Sequence, residues 1–143
     1  MQTTWVKDYE ISIQEAPDYH WYSYDSKNYD KVFHLTSAED FTRTILLTIK
    51  RAHQEKKVVL VVPYYTIVDH CALPAGNRLF LMLNDLLCLF NLESLDIDKQ
   101  QKLDTIGTMF ASYPYKQDFI LYGELDIFRV TSNLSIQWQF SGK

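Results

Sequence analysis

The sequence predicts an α+β fold: a single domain over residues 1–143, with an antiparallel or mixed sheet and about three helices packed on it. Three observations point there. Segments of period two lie near both ends of the chain, a short run apolar on both faces ("VVLVV") lies between them, and apolar residues at helical spacing fill much of the middle. With 143 residues, 47% of them apolar and 22% charged, and only four glycines and four prolines, the chain has the composition of a globular protein and the length for one core.

The elements follow in order. Trp5, Tyr9, Ile11 and Ile13 fall on odd positions with Asp8, Glu10 and Ser12 between them, a half-buried strand that Pro17 closes. Residues 19–24 alternate again, with aromatics on both faces, and "KVFHL" makes a third short strand ending at Leu35. "TSAED" is a helix start: Thr36 or Ser37 can accept from an early backbone N–H, and Glu39 or Asp40 suits the positive end of the helix dipole. That helix is predicted to reach about Lys56, with Phe41, Ile45, Leu46, Ile49 and Ala52 as its buried stripe. "VVLVV", ended by Pro63, is the expected central strand.

Beyond the loop "YYTIVDHCALPAGN", residues 78–91 read as a helix apolar nearly all round. Such a helix is either central and buried or offers a second face to another chain, so Leu79 to Phe90 is a possible homodimer contact. "ESLDIDKQQKLDTIGTMFASYP" reads as a third helix, with Leu103, Ile106 and Phe110 on one side and Pro114 fixing its end. A β-meander closes the chain: "DFILY", a break at Gly123, "LDIFRV", the turn "TSN" and "LSIQWQF". In the last strand Leu134, Ile136, Trp138 and Phe140 are expected to pack.

Motifs for chemistry are absent. There is no glycine-rich phosphate loop, C-x-x-C, H-E-x-x-H, G-x-S-x-G or calcium loop, and His20, His34, His53 and His70 lack ligand spacing. No cofactor and no metal are therefore expected. Cys71 and Cys88 do not form a disulfide framework, the start lacks a secretory pattern, and the longest apolar block, "LFLMLNDLLCLF", is too short to span a bilayer. These features predict a cytoplasmic protein with no membrane partner.

Net charge is −4, but unevenly placed: residues 1–40 hold eight acids and three bases, residues 41–63 five bases and one acid. The acidic flanks disfavour nucleic acid and favour a basic protein partner. Within the acidic segment "DYHWYSYD" sets aromatic side chains, which are enriched at interfaces, among aspartates. The expected partner-binding surface comprises Asp18, Asp25 and Asp30 for steering and Trp21, Tyr22 and Tyr24 as anchors, with Tyr19 in the same stretch.

In size and charge the chain is similar to bacterial immunity and antitoxin-type proteins, which neutralise a cognate toxin, often a nuclease, by covering its basic active-site surface. That similarity implies a non-enzymatic inhibitor acting by occlusion. The alternative is a small enzyme or ligand-binding domain using the loop Asp69-His70-Cys71, with Cys71 as nucleophile or His70 as a base oriented by Asp69.

Overall fold

Two-residue turns, rather than helix caps, punctuate this chain. The computed structural model describes residues 2–16, 28–36 and 41–142, and among these it holds thirteen strands in three sheets and no α-helix. The expected α+β class is therefore corrected to an all-β one. The first sheet contains β1 (Gln2–Val6), β2 (Tyr9–Glu15), β3 (Lys31–His34), β4 (Thr42–Arg51) and β5 (Gln54–Pro63), in the order β1-β2-β4-β5-β3. Only β3 runs parallel to its neighbour. The second sheet is a meander of β6 (Ala72–Ala75), β7 (Arg78–Leu83), β8 (Leu86–Asn91) and β9 (Asp96–Lys102). The third repeats that plan with β10 (Met109–Tyr115), β11 (Asp118–Gly123), β12 (Asp126–Thr131) and β13 (Ile136–Ser141).

Each of the three expected helices is replaced by strands for an identifiable reason. In residues 42–63 the buried set is Ile45, Leu47 and Ile49, a period of two, while Thr44, Leu46 and Thr48 take the other face. β-Branched threonines and isoleucines fit that pleat better than a helix. Ala52 and His53 form a turn, with Arg51 paired to Gln54, and Phe41 is exposed. Residues 78–91 are apolar all round because they are two strands, each covered on both sides. Asn84 and Asp85, read as an interruption of a helix, make the reversal between Leu83 and Leu86. The stretch around "DIDKQQK" is the outer strand of the second sheet, and Pro114 lies in β10, an edge strand, where a missing N–H is tolerated.

Five hairpins share one backbone device. Their two-residue loops begin at Lys7, Ala52, Gly76, Asn84 and Lys116, and each of these residues has a positive φ, between 54° and 66°. Such turns match the right-handed twist of the strands they join. Gly76 and Asn84 enter that region cheaply, whereas Ala52 and Lys116 carry a Cβ that disfavours it.

The sheets stack in chain order. Leu79, Leu81, Leu83, Cys88 and Phe90 of the second sheet face Ile11, Ile13, Ile45, Leu47 and Leu60 of the first. Phe80, Met82, Leu87 and Leu89 point the other way, onto Phe119, Leu121, Phe128 and Val130 of the third. Phe80 and Phe119 meet with ring centroids 4.6 Å apart. The segment Leu79 to Phe90 is thus the centre of the stack, and its side chains are not available for the homodimer contact expected of them.

Replacing Ala52 by Gly at φ 56° removes the left-handed penalty while adding backbone freedom to the unfolded chain. The net expectation is a gain of about 0.5–1 kcal/mol, read as an upward shift of the urea unfolding midpoint. A loss of stability would refute the left-handed geometry of this turn.

Candidate functional site

Residues 69–71 sit where the first strands of all three sheets come together. The Gln2 side chain of β1 donates to the Ala72 carbonyl at 2.9 Å and accepts from the Cys71 N–H at 3.1 Å. On the other side, the His70 carbonyl accepts from both the backbone N–H and the hydroxyl of Ser112 in β10, at 2.9 and 2.7 Å. His70 is at φ 59°, which turns its carbonyl towards the third sheet and leaves its ring outside, against Tyr113. This loop laces three layers together.

Its chemistry is correspondingly quiet. Cys71 is fully buried, and burial pushes its thiol up to about 12 against the weaker opposing effect of its backbone hydrogen bond. Asp69 and His70 are exposed beside it, so the three adjacent residues do not converge on one point. Cys88 is buried in the central sheet with its thiol likewise raised to about 12. At neutral pH a thiol so raised is almost wholly protonated, which disfavours a nucleophilic role for either cysteine.

Of the expected partner-binding residues, Asp18, Tyr19, Trp21, Tyr22, Tyr24 and Asp25 lie outside the described residues. Asp30 lies within them. Its carboxylate accepts the Lys57 N–H at 2.8 Å, and its own N–H donates to the Lys57 carbonyl at 2.8 Å, fixing the entry to β3 alongside β5. That double tie gives Asp30 a structural task.

The feature that the sequence reading missed is the outer face of the third sheet. Register places Tyr122, Ile127 and Phe140 in one row across β11, β12 and β13, and Ile120, Arg129 and Trp138 in the next. Tyr113 of β10 belongs to the second row through its pairing with Ile120, and its ring stacks on Tyr122 at 5.9 Å and 7°. Phe140 is 71% exposed, Ile127 45%, Tyr113 42% and Trp138 38%. The Arg129 Nε donates to the Asp118 carboxylate at 2.8 Å, and its guanidinium and the Lys116 ammonium both lie over the Tyr115 ring. Trp138 and Phe140, expected to pack inside, point outward instead. The hint was present in "SYPYKQDFILY", where Tyr113 and Tyr115 flank Pro114 and a Lys-Gln turn leads into Ile120 and Tyr122.

Behind this face the third sheet is held by a buried carboxylate. Asp126 accepts from the Ile106 N–H at 2.7 Å and from the Gln139 amide and the Ser141 hydroxyl. Desolvation raises its pKa, but these three donors, led by Ser141, outweigh it and hold the carboxyl below the ordinary range. Gly123 fits the same corner because a Cβ there would come within 2.5 Å of the Thr108 carbonyl.

A recess of about 510 Å³ lies between turns of the first and second sheets, with Lys7, Asp8, Arg51, Arg78, Glu93 and Asp98 in its lining. Its charges are mostly paired, Arg51 with Glu93 and Arg78 with Asp98, each at 3.7 Å. A charged ligand there would have to displace these partners. Among the described residues no three His, Cys, Asp or Glu side chains gather as a metal site, and no helix is long and apolar enough to cross a membrane. Compared with protein-family models, curated proteins and solved structures, the chain matches none.

Two outcomes are expected. Native protein at pH 7 should leave both thiols unreacted with a small alkylating reagent, and unfolding should release both; rapid labelling of Cys71 in the native state would overturn its inert assignment. Asp126→Asn should lower stability at pH 7 by about 1.5–3 kcal/mol, the range for hydrogen bonds to a charged group. Because the folded carboxyl titrates below its unfolded value of about 3.9, the stabilisation is present above pH ~4 and lost as pH falls through the folded value. Denaturation curves at several pH values should show the native and variant proteins converging under acid.

Proposed function

We propose that this chain is a non-enzymatic protein-binding module whose docking surface is the outer face of the third sheet. One observation carries the reading: around the Arg129–Asp118 pair, which satisfies itself, lies a contiguous aromatic and aliphatic surface. Isolated exposed apolar residues are ordinary, but a contiguous patch of this kind marks an interaction site. Tyrosine and tryptophan supply large, stiff contact areas, and truncating such an anchor commonly costs a complex about 2 kcal/mol or more.

Catalysis has weaker support. The loop at residues 69–71 is used to join sheets, and its cysteine is held as a buried thiol. The expected inhibition of a basic toxin rests on net charge and on the acidic stretch before β3. The aromatic face adds a different recognition chemistry, namely burial of apolar surface around a neutralised ion pair.

The test is affinity capture of partners from a lysate of the source organism, with three baits: native protein, a Trp138→Asp/Phe140→Asp variant, and Thr48→Asp on the first sheet. A protein retained by the native and Thr48→Asp baits and lost from the face variant is the expected result. Equal capture by all three would sink this reading.

A further inference from the structure

We propose that the recess between the turns of the first and second sheets is a binding site for a neutral polyhydroxylated ligand, a saccharide. The site is separate from the docking face, because none of its lining residues belongs to the third sheet. Three observations carry the assignment: the turns that meet around the recess, an orphaned phenol in its wall, and the balance of its charges.

Four hairpin ends meet here. Lys7 and Asp8 form the β1–β2 turn, Arg51 precedes the β4–β5 turn, Asn77 lies in the β6–β7 turn, and Glu93 lies between β8 and β9. Strands packed in the stack fix where these turns lie, the usual way in which a rigid scaffold positions binding residues. The space they enclose, about 510 Å³, is within the range of small-molecule sites. A smaller recess of about 260 Å³ shares Tyr9, Arg51 and Glu93 with it.

Tyr9 is the residue that folding alone does not explain. It is only 9% exposed, and its hydroxyl is buried with no hydrogen-bond partner among the described residues. Burying a hydroxyl unpaired costs stability, and phenylalanine would fill the same space without that cost. The charged groups that act on the phenol are Arg51, Glu93 and Asp8, all of them in the lining, so its polar end belongs to the wall of the recess. Burial raises its pKa against the opposing effect of Arg51, which leaves it an un-ionised donor at neutral pH. The Arg51 guanidinium lies over the ring, 4.4 Å from its centre. Among the described residues its charged partner is Glu93 at 3.7 Å, and the Glu93 side chain is 78% exposed. Exposed pairs of this kind contribute little, so Arg51 is free to turn towards a ligand and open the phenol to it.

The charges decide what kind of ligand fits. Lys7, Arg51 and Arg78 oppose Asp8, Glu93 and Asp98, three charges of each sign. An ion of either sign meets as much repulsion as attraction there, and an apolar ligand would strand all six groups. A zwitterion would have to pull the pairs apart to meet its own charges. Arg51–Glu93 and Arg78–Asp98 each stand at 3.7 Å, beyond hydrogen-bond length. A guanidinium only donates and a carboxylate only accepts, whereas a hydroxyl does both. One hydroxyl can therefore bridge each pair without separating it. Asn133 and Asn91 steady the second pair, through bonds of 3.1 Å to Arg78 and 3.2 Å to Asp98. Two such bridges, the Tyr9 phenol and the Asn77 amide match a ring that carries several hydroxyls in fixed directions. Hydrogen bonds to charged groups are the stronger kind, which suits a site whose aromatic ring lies beneath an arginine. A ligand of monosaccharide size held this way is expected to dissociate with a constant on the order of 1 mM.

The experiment is an amide NMR titration of the full chain with D-glucose, D-galactose, D-mannose, N-acetyl-D-glucosamine, maltose, cellobiose and lactose. Each is raised to about 50 mM, well above the expected constant. Inorganic phosphate and glycine are the anionic and zwitterionic controls. Tyr9→Phe, Asn77→Ala and Trp138→Asp/Phe140→Asp are titrated beside the native protein, with a melting curve for each. The proposal expects at least one saccharide to shift the amides of Lys7, Asp8, Asn77 and Glu93 saturably. Binding should weaken about 5-fold or more in Tyr9→Phe and in Asn77→Ala, the loss of one hydrogen bond. The third-sheet variant should bind as the native protein does, and Tyr9→Phe should melt no lower. The proposal fails if no saccharide moves these amides, or if both recess variants bind as tightly as the native protein. It fails equally if phosphate or glycine moves the same amides at lower concentration than every sugar. Earlier melting of Tyr9→Phe would also overturn it, by showing that the hydroxyl already has a partner in the folded chain.

Discussion

Burial of the β7–β8 hairpin on both of its faces is the constraint from which the layered structure follows. Leu79 to Leu83 and Leu87 to Phe90 are almost wholly withdrawn from water, and each face can be covered only by another sheet with a matching apolar surface. At ~25 cal/mol per Å² of apolar area, side chains of this size contribute about 1.5–3 kcal/mol each when fully buried. Exposing either face of the hairpin would forfeit several such contributions together. The first sheet supplies one cover with isoleucine, leucine and valine, and the third supplies the other with phenylalanine, leucine and valine.

Stacking leaves polar backbone to be satisfied where the layers meet, and the loop at residues 69–71 performs that task. Gln2 reaches across from β1 with both ends of its amide, while Ser112 reaches from β10 with both its N–H and its hydroxyl. A histidine next to a cysteine in such a loop suggests catalysis when seen as text. In three dimensions His70 contributes mainly its carbonyl and Cys71 mainly its bulk. The same geometry opposes ionisation of the thiol: close packing of three layers removes the solvent that a thiolate requires.

The functional reading turns on the outer face of the third sheet, which is lined with tyrosine, tryptophan, phenylalanine and isoleucine. The outer face of the first sheet instead joins polar residues such as Glu10, Ser12 and Thr48 to a covered apolar cluster around Val59 and Val61. Folding stability alone does not account for the third sheet's outer face, because those side chains gain little while they remain in water. Asp126 and Gly123, beneath and beside this surface, fix the corner from which β12 leaves.

Part of the strand content was legible in the sequence. "VVLVV", "KVFHL" and the alternation in the C-terminal segments identify strands by period and β-branching, and the chain's lack of phosphate-loop, zinc and hydrolase motifs is plain from the residues themselves. The helices were misread because a strand buried on both faces has no polar side: "LFLMLNDLLCLF" satisfies a helical stripe as well as it satisfies two strands. Only the Asn-Asp turn distinguishes them, by allowing a reversal at positive φ. Likewise, the alternation of Trp138 and Phe140 with glutamines fixes that they share a face but cannot say which face is inside. Local periodicity determined strands such as "VVLVV" and the C-terminal meander; the tertiary structure decided which faces are covered, and with that the strands buried on both sides, because burial depends on the neighbouring sheet and not on the strand that carries the side chains.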